Sequence, residues 1–287
     1  MATTSPDLPR THELHDGTTI PAIGFGTYPL RGDDGIEAIT SAITAGYRLV
    51  DTAVNYENER EVGEAIRRAG AEGIDRDELV VQSKIPGRDH AYDKAVASVE
   101  GSLERLGLDR LDVGLIHWPN PSVGLFPEAW RALVDCRERG LVRSIGVSNF
   151  TPQHLARTID ESGVTPVVNQ VELHPLFPQA ELRAEHERLG IRTESWSPLG
   201  KREAPFGADP VADAAAAHGV SPAQVILRWQ LQLGAIPLPK SGTPERQRAN
   251  LDVFGFALTD EQMDAISGLG RADGRLFDGD PETHEEM

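Results

Sequence analysis

The sequence predicts a (β/α)₈ barrel, a closed ring of parallel strands jacketed by helices. Three observations predict it. Strand-like and helix-like segments alternate along the chain. After an N-terminal hairpin the alternation gives about eight strand–helix units of roughly 36 residues, a natural size for a βα repeat. The length, 287 residues, is near that of one such barrel. Short apolar strands between amphipathic helices indicate a parallel sheet covered by helices. An open doubly wound sheet is the structural alternative. It is weakened at Gly24-Phe25-Gly26, which lacks the third glycine and the helix start of a dinucleotide fingerprint.

The elements follow in order. Residues 14–20 carry Asp16-Gly17, a hairpin-turn dipeptide, and the hairpin is expected to close the bottom of the barrel. Residues 22–26 read as a short first barrel strand, and 35–45 as a helix with apolar residues at 36, 39 and 43. A strand over 47–50 ends at Asp51, and a helix spans 59–69. The strand that starts at 79–81 runs to Lys84, and 91–106 is helical. Residues 111–116 lead to His117, and the helix over 127–139 stops at Gly140. Residues 142–147 lead to Ser148-Asn149, after which Thr151-Pro152 opens a helix as N-cap and first-turn proline. A strand over 167–171, a helix over 180–189 and a strand over 191–196 follow. Helices near 210–218 and 222–233 precede a last strand, 235–238, that runs to Lys240. The whole chain, 1–287, reads as one barrel domain. Residues 1–10 are expected to be flexible, and the Gly-, Asp- and Glu-rich stretch 271–287 to be a tail, either mobile or draped over the barrel mouth.

Composition limits the function. The net charge of −17 argues against broad nucleic-acid binding, which needs a surplus of Lys and Arg. The single cysteine, Cys136, allows neither an internal disulfide nor a cysteine metal cluster. No stretch approaches the ~20 apolar residues of a membrane span. The first ten residues are polar, with no signal-peptide core, so the default location is the cytoplasm.

In a barrel of this kind the active site is built at the C-terminal ends of the strands. Those ends carry Thr27, Asp51, Lys84, His117, Ser148-Asn149, Gln170, Trp196-Ser197 and Lys240-Ser241. Any one alone is an ordinary loop residue; their recurrence carries the argument. Asp51, Lys84 and His117 end three consecutive strands. Lys beside Asp stays charged through that pairing, and a charged Lys beside Tyr56 is expected to lower the phenol pKa from about 10. Tyr56 then serves as a general acid, and His117 orients a carbonyl oxygen. A metal site at His117, His174 and Asp51 is a rival reading, but the first strand lacks a His-x-His pair and no metal is expected. After the last strand, residues 239–246 place Lys240, Ser241, Thr243 and Arg246 at a strand-to-helix turn. Loops after strands seven and eight and a helix start commonly bind phosphate in barrels.

Taken together these residues resemble the aldo-keto reductase family. The matching stretches are Gly24-Phe25-Gly26-Thr27, Asp51-Thr52-Ala53 with Tyr56, Ser83-Lys84, Leu115-Ile116-His117-Trp118-Pro119, Ile145-Gly146-Val147-Ser148-Asn149-Phe150, Asn169-Gln170-Val171-Glu172, Ser197-Pro198-Leu199-Gly200 and Pro239-Lys240-Ser241. Residues 194–200 and 250–254 look most like the bacterial branch that includes the 2,5-diketo-gluconic acid reductases. The resemblance implies a reductase of aldehydes, ketones or dicarbonyls that uses NADPH, with a tetrad of Asp51, Tyr56, Lys84 and His117. By the same resemblance Thr27, Ser148, Asn149, Gln170, Trp196, Ser197 and Leu199 hold the inner part of the cofactor. Lys240, Ser241 and Arg246 take its 2′-phosphate, and Asn250 faces the adenine. Tyr28, Trp118, Phe126 and the acidic tail line the substrate pocket, and the enzyme is a monomer with no macromolecular partner. Two departures stand out. Ala249 replaces the Glu or Gln of many members, and Ile85-Pro86 replaces the Leu-Trp of many relatives, so one aromatic wall of the pocket is absent or replaced. A nucleotide-binding regulator on the same barrel is the competing functional reading, and the intact tetrad speaks against it.

Overall fold

Eight short strands pair in parallel, each beside the next in the chain. The computed structural model describes residues 8–203, 205–277 and 279–286. An antiparallel hairpin, β1 (Thr11–Glu13) and β2 (Thr19–Pro21), precedes the barrel strands. These are β3 (Phe25–Gly26), β4 (Leu49–Asp51), β5 (Val80–Ile85), β6 (Leu111–Ile116), β7 (Val142–Ser148), β8 (Val168–Glu172), β9 (Arg192–Trp196) and β10 (Ile236–Pro237). The ring closes where the first and last strands meet. The Gly24 and Gly26 N–H groups donate to the Pro237 and Pro239 carbonyls at 3.0 and 3.2 Å. That approach is why glycine stands at 24: a Cβ there would lie 2.5 Å from Leu238 Cδ2.

The helices are α1 (Gly32–Ala45), α2 (Glu59–Ala71), α3 (Tyr92–Leu106), α4 (Phe126–Glu138), α5 (Pro152–Ser162), α6 (Ala180–Leu189), α7 (Asp209–His218), α8 (Pro222–Gln232), α9 (Pro244–Leu251) and α10 (Asp260–Ser267). Local chemistry starts them where the sequence suggests. The Thr151 and Ser221 side chains accept from the His154 and Gln224 N–H groups at 3.4 and 3.3 Å, satisfying donors the first turn cannot. Helix α10 was not anticipated, although Thr259 and Gln262 form the same reciprocal cap.

Apart from a cluster among α7, α8 and α10 that holds Val211, Val225, Trp229 and Ile266, apolar side chains fill two regions. One lies between helices and sheet and holds Ile39, Val62, Leu103, Trp130 and Leu155, all buried. The other plugs the barrel bottom, where Leu14 and Ile20 of the hairpin pack with Leu49, Val113, Leu115 and Val168. The opposite end of the barrel is left for polar groups. Residues 8–10 make contacts with the rest of the chain. Leu8 packs on the core, the Arg10 carbonyl accepts from the Ala22 N–H, and its guanidinium lies over the Phe254 ring at 4.6 Å. Of residues 1–10, expected to be flexible, 1–7 lie outside the described residues.

Two glycines of α2 give a paired prediction. A Cβ on Gly63 would lie 2.2 Å from the Leu106 carbonyl oxygen at the α2–α3 crossing, whereas one on Gly70 meets nothing within 4 Å. Gly63→Ala is expected to cost about 1–3 kcal/mol by overpacking. Gly70→Ala should add about 0.5–1 kcal/mol through helix propensity. Urea unfolding of both variants checks the opposite signs.

Candidate active site

The centre of the site is a buried lysine. Lys84 stands on β5 with its side chain at 0% exposure, and its ammonium needs partners to remain charged. It donates to Asp51 Oδ1 of β4 at 2.6 Å, to the Thr52 carbonyl at 2.9 Å and to the Tyr56 phenol oxygen at 3.2 Å. Burial works against its charge, but Asp51 and Tyr56 outweigh that and hold it above the ordinary lysine value. The register of β4 against β5 sets Asp51 beside Gln82, and Lys84 lies two residues on, on the same strand face.

Tyr56 follows β4 in a single 3₁₀ turn over 54–56. The buried Asn58 fixes that loop. It accepts from the Thr52 hydroxyl and donates to the Thr27 and Leu30 carbonyls. The expected lowering of the Tyr56 phenol does not occur. Burial pushes it up to about 12; Lys84 pulls the other way, and the anions of Asp51 and Glu286 add to the rise. The phenol therefore keeps its proton at neutral pH, which suits a donor better than an acceptor.

Beneath the lysine lies a network that the sequence did not reveal. The side-chain amides of Gln82 and Gln170 each donate to both Asp51 Oδ1 and Glu194 Oε2, at 2.8–2.9 Å. Glu194 is fully buried, and burial pushes it up to about 7 despite those two amides. Only the parity of strand positions, which aims residues 82, 170 and 194 into the barrel, hinted at it. His117 follows β6, and its ring stands edge-on to Tyr56 with centroids 5.7 Å apart. Asn149, in left-handed backbone with φ 63°, donates to the His117 carbonyl and accepts from Trp196 Nε1.

These groups border one long cleft of about 1410 Å³. Its inner end is lined by Thr27, Tyr28, Asp51, Tyr56, His117, Trp118, Asn149, Gln170 and Trp196. It continues past Ser197 and Leu199 to Lys240, Ser241, Arg246, Ala249 and Asn250. At that outer end Thr243 does not cap α9; its hydroxyl lies 3.1 Å from Ser241 instead. The first N–H groups of α9 are thus left to face an anion. Lys201, Arg202, Phe206 and Phe277 also line the cleft and were missed, because they sit on loops with no strand-end signal. Lys201 lies 4.1 Å from the centre of the Phe277 ring across it.

Three expected site residues are placed differently. Lys84 lies behind Asp51 and Tyr56 rather than on the cleft wall. The Ser148 hydroxyl is buried and donates to the Gln170 carbonyl at 2.8 Å. Phe126, expected in the substrate pocket, is buried at the start of α4 against Phe150 and His154. Its position at the helix N-terminus turns the ring to the core, because it completes the apolar stripe with Ala129, Trp130 and Leu133. The tail, left open between mobile and draped, folds over the mouth. The His284 ring lies tilted against Trp118 with centroids 4.1 Å apart, and the Glu286 carboxylate reaches His117 Nδ1 at 2.6 Å.

Comparison with known proteins gives the family and the fold. The profile of the Aldo/keto reductase family matches residues 22–204 and 207–271. The chain is 61% identical to 2,5-diketo-D-gluconic acid reductase B from Corynebacterium sp., over 98% of this chain and 100% of that one. The crystal structure of a mutant of Gox0644 in complex with NADPH superposes with a TM-score of 0.90. It is 43% identical and covers 96% of this chain and 98% of its own. An aldo/keto reductase from Brucella melitensis gives 0.86 at 45% identity, over 91% and 99% of the two chains.

The buried Glu194 makes stability depend on pH. Its folded-state value, about 7, lies above the 4.5 of the free group, so the folded chain holds a proton that the unfolded chain releases. That proton favours folding fully below 4.5, and the advantage is lost as pH rises towards 7. Glu194→Gln should therefore gain on the parent by up to about 3 kcal/mol at pH 8 and show little difference at pH 4. Urea unfolding at the two pH values checks the sign.

Proposed function

The chain belongs to the aldo/keto reductase family, and we propose that it reduces aldehydes, ketones or dicarbonyls to alcohols with NADPH, Tyr56 giving the proton. The observation that carries this reading is the Lys84 ammonium, bonded to Asp51 on one side and to the Tyr56 phenol on the other at the inner end of the cleft. The residues present fit the cofactor. The cleft is long enough for an extended dinucleotide and ends in Lys240, Ser241, Arg246 and the open start of α9. Arg and Lys there suit a 2′-phosphate, which favours NADPH over NADH.

Asn149, Gln170 and Trp196 would hold the nicotinamide end, and Asn250 the adenine end. When bound, NADPH supplies the hydride. The chain's own work is the proton and the charge. Tyr56 donates from its phenol to the carbonyl oxygen. Lys84, 3.2 Å away, stabilises the negative charge left on the phenol oxygen. Asp51 keeps Lys84 charged, and His117 on the opposite wall orients the carbonyl. The same proposal takes the enzyme to be cytoplasmic by default and monomeric on the family resemblance; among the described residues no helix is long and apolar enough to cross a membrane.

NADPH oxidation, beside NADH, with a panel of aldehydes and dicarbonyls tests the reaction. Tyr56→Phe should lower turnover by about 10²–10⁴-fold, the usual worth of a general acid. NADPH binding, read by fluorescence, should stay near the parent value; a Phe variant with parental turnover overturns the assignment. Lys240→Ala or Arg246→Ala should weaken NADPH by about tenfold or more, as loss of a charge-assisted contact does, and NADH much less. Equal losses for both nucleotides overturn the 2′-phosphate role.

A further inference from the structure

Glu194 has no part in the proton transfer described above, yet it closes a layer that spans the barrel. Asp51 stands beside Gln82 on β4 and β5, and Gln170 beside Glu194 on β8 and β9. Those two strand pairs lie on opposite sides of the ring. Their inward side chains meet across the barrel, and all four residues are buried. The layer holds two acceptors and two donors. Each glutamine uses its Nε2 to bridge Asp51 Oδ1 and Glu194 Oε2, and all four bonds measure 2.8–2.9 Å.

This arrangement fixes which end of the Gln170 amide meets the cleft. A carboxylate only accepts. With an acceptor on each side, both Gln170 N–H groups are engaged inside the barrel, and the amide cannot turn over without breaking two bonds. Gln170 also lines the inner end of the cleft, and among the described residues its Oε1 has no partner. The neighbouring Asn149 is already engaged. Its Nδ2 donates to the His117 carbonyl and to Ser148 Oγ, and its Oδ1 accepts from Trp196. Gln170 therefore offers the cleft an acceptor, which suits an amide N–H₂ such as that of a nicotinamide. Without the Glu194 oxygen, one N–H of each glutamine would be left dry, and Gln170 could regain a partner only by turning towards the cleft.

We propose that Glu194 is a positioning residue for the cofactor: by accepting from Gln82 and Gln170 it keeps the Gln170 amide turned with Oε1 towards the nicotinamide. This rests on the reductase reading and adds to it a residue that touches neither cofactor nor substrate. Two charged groups face Glu194 across the layer. Asp51 opposes its ionisation and Lys84 favours it. Once ionised, it accepts from the two amides more strongly, as charged acceptors do.

The test uses the full chain, Glu194→Met and Glu194→Gln, with two ligands followed by calorimetric titration. NADPH fills the whole cleft. Adenosine 2′,5′-bisphosphate carries the adenine end and the 2′-phosphate but no nicotinamide. Glu194→Met, close in volume but with no acceptor, should bind NADPH about tenfold more weakly, the worth of one hydrogen bond, and the bisphosphate as the parent does. Glu194→Gln keeps an accepting oxygen and should bind both near the parent level. Equal losses of both ligands in the Met variant, no loss of NADPH, or a Gln variant as weak as Met each overturn the inference. Should the Met variant fail to fold, the parent and Glu194→Gln decide it. The ratio of their NADPH affinities should move in the parent's favour as pH rises through about 7, where Glu194 ionises, and a flat ratio overturns the inference. Carbonyl turnover with an unchanged NADPH affinity in the Met variant leaves the reductase reading standing. The expected binding pattern with no carbonyl turnover in the parent supports the positioning role and overturns the reductase reading.

Discussion

The buried ion pair between Lys84 and Asp51 is the constraint around which the upper half of the barrel is arranged. An ammonium with no exposed surface survives only if its attraction to a partner offsets its lost hydration. The strands supply that partner by register, and a backbone carbonyl and a phenol complete the shell. Breaking such a pair by removing one member typically costs about 3–5 kcal/mol, because the other charge is stranded. The pair is therefore held firmly, and Tyr56, bonded to it, is held too. Asn58 secures the tyrosine loop from below.

The same pair explains the polar layer beneath it. Asp51 Oδ1 accepts from Lys84 and from two glutamine amides, and those amides need a second acceptor on their far side. Glu194 provides it. Burial raises the Glu194 carboxyl, and the nearby Asp51 carboxylate adds to the rise. Charge is thus concentrated at the top of the stack, on Asp51 and Lys84, close to the phenol. Below Glu194 the barrel becomes apolar and is sealed by the hairpin.

The cleft has two electrostatic ends within an acidic chain. The outer end gathers Lys240, Arg246 and a helix start, while the inner end meets the acidic tail. The tail's contact with His117 gives the missing aromatic wall a physical replacement: a segment of backbone and a carboxylate in place of a ring. Its approach depends on a bare glycine at 87 and on Asn120, in left-handed backbone with φ 45°, whose side chain bonds the Glu286 backbone.

The sequence by itself determined the barrel, the order of its elements, and the residues at the strand ends. Those features are written locally: apolar periodicity, caps such as Thr151 and Ser221, and the two-residue alternation that sends Asp51, Lys84 and Gln170 inward. It also carried the family motifs. Only the tertiary structure decided the energetics of the site. Whether the Tyr56 phenol moves down or up depends on how much water its surroundings exclude against how close Lys84 lies, and burial prevails. Glu194 is silent in the sequence because its partners lie on strands 24 and 112 residues away. Phe126 reads equally well as a pocket wall or a core residue until the helix it starts is docked. The tail's place was open for the same reason. Glu286 finds His117, Asn55 and Gly87 across as many as 231 residues, and no local pattern encodes a contact that only barrel closure brings within reach.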